Sequence, residues 1–448
     1  MFTQLRMTNF KSWQDTGSVR LAPLSAFFGT NSSGKSSLLQ MLLLLKQTAE
    51  SNDRKLVLKT GSLQEGYVNL GTPSEITHRD TTEMLLSITW KFSDDPLSIS
   101  VPHESRTISL DELEFSTQIH AEPQKIYVDR LIYQGDNEFW VDLKRGGNNR
   151  YAFALKIAGR EPPRPQGRPR VNMSPEKCYG FSDEALGYYP NTGYLSDMVL
   201  RWEKQFQKLH YLGPLREYPQ RSYIWGGERP TNVGLRGELA IPALLSAKAE
   251  RVYSGRGKKP KLEERIAQWL VELGLAHSFR TQPIGSSGAQ YEVRIKRDAN
   301  SPEVLLPDLG IGVSQVLPVL ILCYYVPEGS TIILEQPELH LHPSVQSGLA
   351  DVFIDVIQKR QIQIILESHS EHLLRRLQRR IAEGSLPSEK TAIYFSNLQD
   401  GVSHLEALEI DTFGQIRNWP SGFFGDVAGD MVATLDASIE RQISKSVR

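Results

Sequence analysis

The chain has 448 residues, which at ~150 residues per domain is a soft prior for two or three structural units around an ample core. Lys+Arg 51 against Asp+Glu 52 leaves a net charge of -1, so a nucleic-acid or membrane partner would have to be met by a local patch. Apolar residues at 40% and charged residues at 23% exclude a fibrous or largely disordered chain.

The longest apolar run, Val316 to Val326, holds 11 residues including Pro318, short of the ~20 that span a bilayer. The N-terminus lacks the order of charged, apolar and small residues of a secretory signal. Cys178 and Cys323 cannot form a disulfide framework. A cytoplasmic protein without a membrane segment is expected.

Over the first 28 residues apolar positions recur at Phe2, Leu5 and Met7, at Val19 and Leu21, and at Leu24 and Phe27-Phe28. This predicts strands, with a turn at Asp15-Thr16-Gly17. A Gly-bounded loop and a Leu- and Met-rich helix over 36–47 follow. From about Leu56 to Leu155 short β runs dominate, among them 84–90 and 126–133, with turns at Gly135-Asp136 and Gly146-Gly147, and an antiparallel meander is predicted. The stretch 159–170 carries four Pro and four Arg and reads as an extended loop. A second basic stretch, 254–261, precedes a predicted helix from Leu262 to Leu273 that ends at Gly274. The last third returns to βα alternation, with apolar strands at 331–334 and 363–366 of the buried parallel type. The fold class is α/β, with a mostly β and irregular or helical region inserted in the middle.

Four segments carry chemistry. Gly29, Thr30, Asn31, Ser32, Ser33, Gly34, Lys35 and Ser36, with Ser37 behind them, match G-x-x-x-x-G-K-[ST] between a predicted strand and a predicted helix. Such a loop turns successive N–H groups toward a polyphosphate; Lys35 reaches the β/γ oxygens and the Ser36 hydroxyl ligates Mg²⁺. The strand 332–334 leads into Glu335, the carboxylate type that holds Mg²⁺ through water. His369 ends the next strand, either within reach of a γ-phosphate or as a hydrogen-bonded surface residue. Gly310, Gly312, Ser314 and Gln315 precede an apolar helical run and read either as a capped helix after a turn or as an anion site.

In this order the four segments resemble the ABC-type ATPase heads of the SMC/RecF class and, more closely, compact bacterial ATPases grouped with the OLD (overcoming lysogenization defect) family. Residues 29–36 resemble the Walker A loop, 306–318 the signature segment, 332–338 Walker B, and His369 the switch histidine; 335–343 is similar to the E-E-P-E-x-H-L-H-P run of that family. Residues 212–217 and 419–424 resemble a subgroup of uncharacterised ATPases found beside mobile-element defence genes. The likeness covers about 1–80 and 300–425. It implies an ABC-type ATPase head with a mixed sheet, divided into an N-terminal lobe (1–80), an inserted region (81–300) and a C-terminal lobe (301–448). It also implies a head-to-tail dimer or larger homo-oligomer in which ATP on Lys35 and Ser36 of one copy is capped by Gly312 and Ser314 of another.

One departure bears on catalysis: where the family has a general-base Glu, this chain has Gln336, which takes no proton from water. An engineered change, a base supplied by Glu338, or a slow ATPase working as a switch each account for it. The function expected is an ATP- and Mg²⁺-dependent ATPase that controls a separate effector in anti-phage defence, since no acidic nuclease cluster follows the head. The alternatives are a DNA-clamping repair ATPase and a non-hydrolysing scaffold. Nucleic acid is an allowed partner through the two basic stretches or the arginines of 375–380, whose default reading is a solvated face. Arg216 and Arg221 read equally as phosphate or partner contacts and as ion-pair partners of Glu217 and Glu228. His340, His342, His369 and His372 lack a tetrahedral zinc spacing.

Overall fold

In the computed structural model the P-loop strand Leu24–Gly29 lies inside a six-stranded sheet, in the order Leu209–Leu212, Thr331–Glu335, Gln363–Glu367, Leu24–Gly29, Thr391–Gln399 and Val402–Ala407. The first five strands run parallel and the last pairs antiparallel. A parallel sheet is covered on both faces, and the strands show it by alternation. Ile332, Leu334, Ile364 and Leu366 enter one core with the helices Ile311–Tyr325, Pro343–Arg360 and Glu371–Ala382, whereas Ile333, Ile365 and Phe27 enter the other.

The structure describes all residues except 62–65, 93–95, 102–103, 124, 137, 162–172, 188–192, 249, 251–259, 286–287, 421–422, 425–426 and 447–448. Most of the two basic stretches, 159–170 and 254–261, therefore lies outside the described residues. Among the described residues no helix is long and apolar enough to cross a membrane.

The second core is closed by an eight-stranded antiparallel sheet that joins the first strand, Phe2–Phe10, to the meander Glu83–Lys91, Glu112–Glu122, Lys125–Gly135, Phe139–Arg145 and Tyr151–Ile157. This sheet draws strands from both sides of residue 80. Gln363 ties the two sheets together: its side chain accepts from the Phe2 amide (3.0 Å) and donates to the Phe2 carbonyl (2.7 Å). Between the sheets runs the helix Lys35–Ala49, whose residues from Leu38 to Leu45 are apolar and buried apart from Gln40. An all-round apolar surface of this kind belongs to a helix covered on every side.

The β runs expected from Leu56 onward begin only at Glu83. Residues 56–82 hold the single 3-10 turn Pro73–Glu75 among the described residues. The cause is local: Gln47, at the end of the buried helix, accepts from the amides of Tyr67 (3.0 Å) and Val68 (3.1 Å) and donates to the Lys59 carbonyl, giving this backbone a side-chain partner in place of a strand. A smaller sheet, Tyr223–Ile224, Ser278–Pro283, Gln290–Lys296 and Glu303–Leu305, precedes the helix Ile311–Tyr325.

Candidate functional site

The P-loop lies at the carboxyl end of its strand, where ligands bind open α/β sheets. Its curl is set by backbone that ordinary residues avoid. Ser32 has φ 59° and Gly34 φ 88°, and a Cβ on Gly34 would stand 2.5 Å from Ser403 Oγ and 2.8 Å from Trp13 Nε1. Trp13 Nε1 donates to the Gly34 carbonyl (3.0 Å), which clamps the loop from the first hairpin. The result is a cleft of about 460 Å³ lined by Ser32, Ser33, Gly34, Lys35, Ser36, Gln336, Glu367 and His369, among others.

Lys35 is buried, and its ammonium folds onto the loop, donating to the carbonyls of Gly29 (3.2 Å) and Thr30 (2.6 Å). Burial lowers its pKa while the charge of Glu367 opposes the shift. A desolvated ammonium held by neutral loop oxygens, the two carbonyls and Ser33 Oγ (3.4 Å), fits a polyphosphate. Ser36 Oγ donates to Glu367 Oε2 at 2.7 Å.

Glu367 is the main residue that sequence reasoning passed over. It is Cα partner to Glu335 across the parallel pair, so two carboxylates stand side by side at neighbouring strand tips. Burial pushes the Glu335 carboxyl up to about 7, with the charge of Glu367 adding to it. Burial also raises Glu367, against the bond from Ser36 and the attraction of Lys35. Two desolvated carboxylates beside a serine hydroxyl are a hard-oxygen donor set that suits Mg²⁺. The signal was in the sequence: Ile-Ile-Leu-Glu occurs twice, ending at Glu335 and at Glu367. Lys11, the second cation of the cleft, bonds Gln40 Oε1 (2.9 Å). It sits in a turn at φ 53° and gave no pattern to read.

Gln336 lines the cleft in a left-handed backbone conformation, φ 44°, with its amide on the Glu367 carbonyl (2.9 Å). Glu338 is buried and does not line the cleft; its Oε1 accepts from Ser368 Oγ (2.8 Å) and the His369 amide (2.7 Å), so it braces the histidine loop. His369 opens on the cleft, its pKa lowered by burial and then by Lys35. Gly312, Ser314 and Gln315 fall in the first turns of the helix Ile311–Tyr325 and do not line the cleft of their own chain. Ser314 Oγ donates to the Ile311 carbonyl (2.8 Å).

Of the two arginines, Arg221 pairs with Asp308 at 2.7 Å, and Glu217 lies 3.7 Å from Arg236. Arg216 is buried with Nε and Nη1 unpartnered among the described residues, its pKa lowered by burial to about 10 against the attraction of Tyr211, Glu335 and Glu338. Tyr211 donates to Glu335 Oε1 (3.2 Å). Along 375–380, Arg376 and Arg380 both hold Asp351, while Arg375 pairs with Glu371 of the same helix and Arg379 with Glu383 just past its end.

Comparison with known proteins agrees with this geometry. Residues 1–154 match the family "AAA ATPase domain", 258–375 match "AAA domain, putative AbiEii toxin, Type IV TA system", and 386–433 match "Protein of unknown function (DUF3696)". An OLD nuclease of Thermus scotoductus is 23% identical over 381 residues, 83% of this chain. The chain spans 59% of the length of that relative. Among solved structures, an SMC head bound to the C-winged helix domain of ScpA aligns at 12% identity with TM-score 0.45, covering 92% of this chain and 98% of that one. The SMC head domain from Thermotoga maritima aligns at 11% identity with TM-score 0.43, covering 91% and 99%. The family matches fall on the P-loop segment and on the segment holding Glu335 and His369, and with the OLD relative they support an ATPase of the OLD-like class.

Proposed function

We propose that the chain is an ATP-binding, slowly hydrolysing ATPase that closes head to tail with a second copy around ATP and controls a separate effector, in defence against phage or mobile elements. The observation that carries the ATPase reading is the cleft itself: a P-loop whose lysine and serine face Glu367, with Ser36 Oγ 2.7 Å from it and Glu335 behind it on the neighbouring strand, outside the cleft lining. Ser36, Glu335 and Glu367 are the residues that would hold Mg²⁺. Bound there, the ion neutralises charge on the transferring phosphoryl group.

The remaining roles belong to side chains of the chain. Lys35 exchanges its carbonyl partners for phosphate oxygens, and Glu338 fixes the loop that presents His369. Gln336 orients Glu367 by a side-chain hydrogen bond and takes no proton from water. Slow turnover follows. The signature residues Gly312 and Ser314 stay outside the cleft of their own chain, which supports a site completed by a second copy. The defence role rests on the likeness to the defence-associated subgroup and on the OLD relative.

Steady-state ATP turnover by the purified chain, with and without duplex DNA and beside Lys35→Ala as background, tests this reading. Slow turnover above background, unaffected by DNA, is the expected outcome. Turnover that rises with salt-sensitive DNA binding would replace the effector reading with the DNA clamp. ATP retained with turnover at background would make the chain a nucleotide-stabilised scaffold.

A further inference from the structure

A cavity of about 720 Å³ lies away from the P-loop, at the amino ends of the parallel strands Leu209–Leu212 and Thr331–Glu335. Its volume suits a small-molecule ligand. Lys46, Lys91, Arg201, Lys204, Lys208 and Arg229 line it, against the single carboxylate Glu50. Lys46 is paired with Glu50 at 2.6 Å, and Arg229 with Glu250, also at 2.6 Å. Lys91, Lys204 and Lys208 make no ion pair among the described residues. In a chain of net charge -1 this is a local concentration of positive charge, and concave walls focus its field.

Two residues of the wall carry polar ring atoms buried behind its surface. Trp90 is 1% exposed and His210 8%, and each has a buried ring nitrogen, Nε1 and Nε2, without a hydrogen-bond partner among the described residues. Burial, then the charge of Lys46, pushes the His210 pKa down to about 4, so the ring is neutral near pH 7. Phe92, Tyr67 and Tyr325 complete an aromatic wall beside the cations. Cationic side chains next to aromatic rings match a phosphate attached to a flat heterocycle.

We infer that this cavity is a second ligand site, distinct from the P-loop cleft, that binds a nucleoside phosphate, either free or as the 5′-phosphorylated end of a strand. It does not rest on catalysis at the P-loop. Binding is measured by calorimetry on the full chain carrying Lys35→Ala, which removes the P-loop ammonium. The probes are adenosine 5′-monophosphate, a 5′-phosphorylated tetranucleotide, tripolyphosphate and adenosine. One-to-one saturation by either phosphorylated nucleoside probe is expected, and the one that binds names the source. Adding Lys204→Glu with Lys208→Glu, both at exposed positions, should weaken it at least about tenfold. The same pair in the otherwise unchanged chain should leave ATP turnover within about twofold, the mark of an intact fold. No saturation by either nucleoside probe, or an affinity unmoved by the charge reversals, overturns the site. Equal binding of tripolyphosphate removes the nucleoside from it.

Discussion

At the scale of single residues, the proposed function turns on Glu367 and Gln336. Glu367→Gln should lower turnover by about a hundredfold if its carboxylate serves the bound ion and the water, a magnitude typical of losing such a group. An equal rate in that variant would return the role to Glu335 alone. Conversely, Gln336→Glu should raise turnover by more than about threefold, and a smaller gain would mean that the missing carboxylate is not what slows the enzyme. His210 gives a prediction on stability. Its folded pKa, about 4, lies below that of a free imidazole, so between pH 6.5 and 4 the unfolded chain binds a proton that the folded chain does not, and stability falls as pH falls through that window. The contribution is about 2 kcal/mol on going from pH 8 to pH 5. Denaturant unfolding of the chain and of His210→Gln at both pH values should therefore differ in their pH dependence by about that amount.

At the scale of elements, the helix Lys35–Ala49 acts as a strut between two sheets and as the anchor of an irregular segment. Gln47→Leu should strip protection from the Tyr67 and Val68 amides in hydrogen exchange while the amides of the helix interior stay protected; unchanged exchange at those two sites would show that Gln47 does not hold the segment. The same helix shows what was legible in the sequence. Its start could be read from Gly34, its length from an unbroken apolar run, and the flanking strands Leu24–Gly29, Thr331–Glu335 and Gln363–Glu367 from short apolar runs ending in polar tips. What could not be read was contact at a distance. The β runs expected from Leu56 do not form before Glu83; in that stretch the Lys59, Tyr67 and Val68 backbone meets the Gln47 side chain, and no local pattern announces that. Glu367 was hidden differently: the two strands share Ile-Ile-Leu-Glu, a repeat legible in the sequence, and their pairing in the sheet sets the two carboxylates side by side.

For the whole molecule, Gly312 and Ser314 do not line the cleft of their own chain, so under the proposed head-to-tail closure ATP should change the mass in solution. Light scattering with ATP and Mg²⁺ is expected to report a doubled mass for the unaltered chain and none for Lys35→Ala; an unchanged mass in both would remove the head-to-tail pairing. The sheet order has a further consequence for how the molecule is made. The P-loop strand sits at the interior of its sheet, and both of its neighbours come from the last fifth of the chain: Leu24 pairs with Ile364 on one side and with Thr391 on the other. During synthesis at about 5–20 residues per second, that strand waits roughly 15–70 s with both edges open before either partner is available. The nascent chain thus carries an apolar, unpaired strand through most of its own translation, a state prone to edge-to-edge association. Its yield should depend on whatever shields that edge on the ribosome, and translation that stalls before residue 363 should release chains that aggregate.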